Sequence, residues 1–238
     1  MSRRSGTIFI NVCIYLVFVI GISLLYTSEF YANLLAILLL IFNFICFHDR
    51  RDFIYFLIGF CLTTSTEILA VRFGVWEYAY PHLFGIPLWL SLGWAYSFVF
   101  AREFEGNLFK QKYLEAHYAS YFRKAKNIIL TDLLVFGVSL LAILLLWKDN
   151  ALLTTCLGLF LIFYIFIHHD KDSLALILIA VFSYSLIDAT MTHIGLWTYT
   201  NTNLSTITTW LPIGYGLIAV LVSRISESIN ILVFSKKT

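Results

Sequence analysis

The chain has 238 residues, 60% of them hydrophobic and only 13% charged, where ordinary soluble domains carry about 25% charged residues. The charges cluster and leave apolar stretches of the length a bilayer requires, which excludes a soluble globular domain. A net charge of +2 is too small to point to nucleic acid, so the composition predicts an all-α integral membrane protein, multi-pass in the cell membrane.

Eight apolar segments follow in chain order, at about 8–26, 31–47, 53–72, 86–102, 128–147, 151–167, 174–193 and 207–223. Arg3 and Arg4 precede the first, as in a signal peptide. The run from Ile8 to Tyr26 is long for such a segment, however, and no small-residue cleavage site follows it, so it reads as a span. An even number of spans puts both termini on one side. That side receives fourteen of the sixteen Lys and Arg residues, and the other receives only Arg72 and Lys148. The positive-inside rule then predicts that both termini are cytoplasmic. The four cysteines, Cys13, Cys46, Cys61 and Cys156, lie in apolar stretches without metal-ligand spacing and are expected to be small buried packing residues.

The sequence is written twice. Displaced by 121 residues without a gap, Gly74, Trp76, Tyr78, Trp89 and Gly93 fall on Gly195, Trp197, Tyr199, Trp210 and Gly214. Glu67 falls on Asp188, and His48-Asp49 falls on His169-Asp170. Residues 48–93 hold 12 identities in 46 pairs, and these align four of the six tryptophans, which chance does not do. Four helices per copy return the chain to its starting side. The eight transmembrane helices are therefore expected as two parallel four-helix repeats, related by an axis along the membrane normal. The predicted units are 1–104, the first repeat; 105–127, a cytoplasmic interfacial linker with aromatic residues among its charges; and 128–238, the second repeat.

Parallel repeats place Glu67 and Asp188 at one depth. Each lies about 15 residues into its helix, roughly 20 Å from the cytoplasmic end. A carboxylate there costs about 2.5–3.5 kcal/mol on insertion scales, so each is expected to face the bundle interior. Thr63 and Thr64 precede Glu67 by one turn, as Tyr184 and Ser185 precede Asp188, giving each helix a short polar stripe. Two readings stand side by side. The acids are general acids at a central cavity, held neutral by low polarity, or they lock helices together. The Gly-x-Trp-x-Tyr elements at 74–78 and 195–199 read either as an aromatic belt or as folded loops that cap a cavity with π-faces. Substrate contact is assigned to Trp76, Tyr78, Trp89, Trp197, Tyr199 and Trp210. The first loop carries more ionisable groups, Arg72, Glu77 and His82 against His193, Thr198 and Asn203, and is the expected seat of chemistry. The His-Asp pairs, at the opposite membrane face, read as turn and capping residues rather than metal ligands. Asn11 and its counterpart Asp132 read as interhelical hydrogen-bonding residues. No di-iron His box, Ser-His-Asp order, P-loop or mid-helix Lys is present, so neither metal nor cofactor is expected.

Glu67-x6-Gly74-x-Trp76-x-Tyr78, followed by Gly85-Ile-Pro-Leu and Trp94, resembles the signature segment of membrane carotenoid-modifying proteins, the carotenoid 1,2-hydratase-like proteins and the heterodimeric-type lycopene cyclase domains. The resemblance covers about 30 residues, with a fainter second copy. It implies an all-helical membrane enzyme that protonates a double bond of a polyprenoid, with Glu67 as proton donor, Asp188 as second acid or cation stabiliser, and the aromatic residues as walls. Two departures weigh against cyclisation: Glu67 is followed by Ile68, and Pro87-Leu-Trp-Leu stands where the cyclase pattern has Pro-x-Glu-Glu. The alternative is a small membrane transporter or a lipid-binding scaffold without catalysis. The cytoplasmic halves of the third and seventh helices carry little polarity beyond Tyr55 and Ser183, which favours a pocket over a path. Expected partners are a membrane lipid or polyprenoid substrate, with a homo-oligomer or a membrane complex as the assembly.

Overall fold

The computed structural model describes residues 3–47, 49–108, 118–168, 171–202 and 207–234. They form eight helices: α1 Arg3–Leu25, α2 Glu29–Phe47, α3 Arg50–Arg72, α4 Leu88–Leu108, α5 Tyr118–Leu146, α6 Asn150–His168, α7 Lys171–His193 and α8 Leu211–Phe234. Between α3 and α4 lies a short strand, β1 Trp76–Tyr78, and between α7 and α8 lies β2, Trp197–Tyr199. Six helices are long and apolar enough to cross a membrane, and shorter apolar runs occupy Phe9–Leu25 of α1 and Leu88–Ala101 of α4. Large apolar side chains such as Leu24, Ile45, Phe182 and Leu186 point outward, while Asn11, Asn43, Asp132 and Asp188 are buried. That distribution suits a lipid solvent, in which apolar surface is free to face out and polar groups must find partners inside. The chain is a polytopic membrane protein.

Two helices occupy the middle. α4 packs against α1, α2 and α3, and α8 packs against α5, α6 and α7. The halves meet where α3 crosses α8 and α4 crosses α7. Buried polar pairs pin the outer helices: Asn43 donates to Asn11 at 3.0 Å between α2 and α1, and Arg224 donates to Asp132 at 3.0 Å between α8 and α5. Both acceptors were expected to bond between helices. The partner of Asp132 was not foreseen; Arg224 also stacks over Tyr164.

Local chemistry sets the helix ends. Asp49 accepts from the backbone N–H groups of Arg51 and Asp52, and Asp52 returns a bond to the Asp49 N–H, closing a capping box on α3. This is the capping role expected of Asp49. At the other end Gly74 has φ +73°. Its N–H bonds the Val71 carbonyl, and the Val75 N–H bonds that of Ala70, which together make a Schellman turn. Gly195, at φ +80°, repeats it after α7.

α4 continues to Leu108 and α5 starts at Tyr118, so helix takes up both ends of the 105–127 segment, and 109–117 lies outside the described residues. Two expectations change. α8 starts at Leu211 and runs to Phe234, so its polar last turns stay helical beyond the apolar window. The cysteines are not buried: Cys46 and Cys61 are exposed and Cys13 and Cys156 are half-buried, consistent with a thiol being apolar enough to face lipid. His48, His169, Asp170 and Asn203 lie outside the described residues.

Candidate functional site

Glu67 sits about one and a half turns before the end of α3. The Schellman turn then reverses the chain, and β1 runs back beside the helix. In a strand, alternate side chains share a face, so Trp76 and Tyr78 point together while Glu77 points out. Both reach the same carboxyl oxygen. Trp76 Nε1 donates to Glu67 Oε2 at 2.9 Å, and the Tyr78 hydroxyl donates to the same atom. The second copy is built alike: Trp197 Nε1 donates to Asp188 Oδ1 at 2.9 Å and the Tyr199 hydroxyl at 2.7 Å. The spacing from acid to donors is the same in both copies because the same helix end and the same glycine turn lie between them.

β1 and β2 pair antiparallel with each other, in the register Trp76↔Tyr199, Glu77↔Thr198 and Tyr78↔Trp197. Each Trp therefore meets the other copy's Tyr edge-on, at 5.6 Å for Trp76–Tyr199 and 5.8 Å for Tyr78–Trp197. Trp210 stacks on Trp76 at 6.5 Å. The result is an aromatic roof over two carboxyls.

Beneath the roof is a cavity of about 100 Å³. Both acids border it, with Trp76, Tyr78, Trp197, Tyr199 and Trp210. Thr63 and Thr66 of α3 and Trp94 and Phe98 of α4 close one side; apolar residues of α5, α6 and α8, with Ser139, Gly214 and Tyr215, close the other. Glu67 is 8% exposed and Asp188 1%. Trp94 lies beside the Glu67 carboxyl and Tyr215 beside that of Asp188. The two donors of each acid use one oxygen. The other oxygen of Asp188, Oδ2, is buried without a hydrogen-bond partner among the described residues. Chemically the arrangement offers two oriented carboxyls, indole and phenol faces for a cation, and an otherwise apolar wall. Among the described residues no cluster of His, Cys, Asp and Glu is arranged to hold a metal ion.

Of the eight residues singled out in the sequence, the fold brings seven to this cavity. Trp89 is the exception. It is buried at the start of α4, where its backbone N–H donates to Asn33 Oδ1 at 2.9 Å, and it is not in the cavity wall. Trp94 and Tyr215 escaped the sequence reading as a pair because their identities differ, although they fall at the same 121-residue offset. Ser139 escaped because nothing marks a serine in an apolar span as part of a wall.

Fold and site define a polytopic, all-helical membrane protein with paired buried acids at an internal cavity. No family model and no curated protein sequence matches the chain. The fold is similar to that of a mycobacterial Insig homolog, MvINS from Mycobacterium vanbaalenii, with a TM-score of 0.59 and 15% identity over 76% of this chain and 96% of that one. A cross-linked MvINS trimer matches at a TM-score of 0.58, also at 15% identity. The chain thus resembles the Insig fold.

Proposed function

We propose that the protein is a lipid-modifying enzyme of the isoprenoid or carotenoid type that protonates a carbon–carbon double bond with Glu67. The observation that carries this reading is the pair of carboxyls, each held on one oxygen by a Trp N–H and a Tyr O–H, bordering a single apolar cavity. Two donors on one oxygen suit the carbonyl side of a neutral carboxyl group, and the proton is carried on the other side. Transfer breaks that O–H bond, forms a C–H bond and leaves a carbocation facing the aromatic residues. In hydration, water adds its oxygen to the cation and returns a proton to the carboxylate, for a net gain of one water. In cyclisation an internal alkene attacks the cation, and the proton lost from the product returns to the carboxylate, for a net isomerisation. Asp188 serves as second acid or cation stabiliser. The motif resemblance to carotenoid-modifying proteins supports the same chemistry, and the departures within it favour hydration.

The architecture we infer has eight spans in two parallel four-helix repeats, with both termini cytoplasmic. The crosswise register of β1 and β2 supports it, since a twofold axis through the Glu77–Thr198 pair relates each strand to the other. The trimer described for MvINS makes a homo-oligomer the first assembly to test.

A lipid-binding scaffold without catalysis is the second reading, favoured by the fact that the same two-donor clamp would also lock α3 and α7 to the paired strands. Glu67→Gln separates the two. Gln keeps an acceptor for Trp76 and Tyr78 but has no proton to give. Lipid extracts from cells carrying the wild-type protein should show a polyprenoid heavier by one water, or an isomer, compared with cells lacking it. The Gln variant should be folded in membranes and about a hundredfold or more slower. A fully active Gln variant sinks the assignment.

A further inference from the structure

The cavity is one-sided although the chain that builds it is repeated. α3 contributes Thr63, Thr66 and Glu67 to its wall, whereas α7 contributes Asp188 alone. The rest of the wall comes largely from α5 and α8, and none of it comes from α1 or α2. Comparing positions 121 residues apart shows why. Ser139 of α5 corresponds to Phe18 of α1, and Gly214 of α8 to Gly93 of α4. A methyl group built on Gly93 would lie 2.7 Å from the Phe18 ring, so Phe18 fills the flank of that glycine. A methyl group on Gly214 would meet nothing within 4 Å, so the corresponding flank is open. Thr63 corresponds to Tyr184, whose ring packs edge-on against Trp94 at 5.4 Å and Phe98 at 6.0 Å. Tyr15 completes the block by stacking on Phe100 at 5.2 Å. The corresponding positions of α1, α4 and α7 thus carry packed rings. The space beside Glu67, between α3, α5 and α8, is left empty by a serine, a threonine and a bare glycine.

We propose that this empty space is a ligand chamber, that it takes the branched terminal unit of a linear isoprenoid chain, and that Ser139 and Gly214 determine what fits. A volume of about 100 Å³ is smaller than the roughly 150 Å³ apolar cavity that admits benzene. It therefore suits a chain end of about one isoprene unit. The wall opposite Glu67 is aliphatic, including Leu140, Ile143, Ile218 and Leu221, which matches an alkyl end without a polar group. Asp188 borders the chamber without one of its own. The substrate class rests on the reading of Glu67 as proton donor; the one-sided chamber does not.

The test uses the whole protein in lipid nanodiscs and geranylgeraniol carrying a diazirine at its hydrocarbon end. Photolabelled peptides are mapped by mass spectrometry. In the wild type the label should fall on the helices of the wall, α5 and α8 with α3 and α4, and not on α1. Ser139→Phe, which copies the first-half residue into the second, should lower that labelling about tenfold, and Ser139→Ala should keep it. Gly214→Leu fills the same space from α8 and serves should the Phe variant not fold. In the double variant Phe18→Ser with Tyr184→Thr, label should appear on α1, which contributes nothing to the wild-type wall. Undiminished labelling in the filled variants, or wild-type label on α1 as strong as on α5, overturns the proposal. Glu67→Gln should label like the wild type. If it does so and is also catalytically active, the chamber stands and the proton-donor reading falls.

Discussion

The indole N–H groups of Trp76 and Trp197 do more than line a wall. Each is half of the clamp on a carboxyl that would otherwise be buried with a single donor. Replacing Trp76 by Phe keeps most of the ring but removes the donor, at a cost of about 1–3 kcal/mol for a buried acceptor left short of a partner. The midpoint of heat unfolding in detergent should fall accordingly, and Trp197→Phe should behave alike. An unchanged midpoint in both would mean that water replaces the indole and that the clamp is not a source of stability. Much of this was legible in the chain: one acid, a glycine seven residues on, then Trp and Tyr two apart, all written twice. The missing part was direction. Only a strand turned back along its own helix brings Trp76 and Tyr78 onto the acid that precedes them.

Elements differ in what their glycines are for, and the difference is testable. Gly74 and Gly195 sit at positive φ with open space around them, so their role is conformational. Alanine there strains the Schellman turn by about 1 kcal/mol and should lower the unfolding midpoint to a similar degree at both sites. Gly93 and Gly214 are helical, and the contrast between them is steric. Gly93→Ala drives a methyl group into Phe18 and should destabilise, whereas Gly214→Ala meets empty space and should gain up to about 1 kcal/mol from helix propensity. Equal effects at the two positions would contradict the one-sided packing. The repeat was visible in the sequence as four aligned glycine and tryptophan landmarks. That β1 pairs with β2 was not visible, because three residues of alternating Trp-x-Tyr specify a strand but not its partner.

For the whole molecule, the count of charges by side predicts the orientation. With native cysteines replaced, Lys148→Cys, in the exposed turn between α5 and α6, should react with a membrane-impermeant thiol reagent added outside intact cells. Arg3→Cys and Lys236→Cys should react only after the cells are opened. Labelling of one terminus alone from outside would overturn the even number of spans, and labelling of both would overturn the orientation.

By itself the sequence determined that the chain lives in a membrane, that it is built twice, and that each copy carries one acid with two aromatic donors at matched spacing. Hydropathy, repetition and spacing are properties of a line, and they survive without knowledge of what packs on what. The tertiary structure alone decided that the two short strands close over a shared cavity and that the cavity opens beside Glu67. It also placed Trp89, identical in the chain to its counterpart Trp210, outside that cavity. A void is set by the volumes of side chains that meet from distant helices. Ser139 against Phe18, and Thr63 against Tyr184, are ordinary residues in apolar spans until folding sets them beside a glycine and an acid.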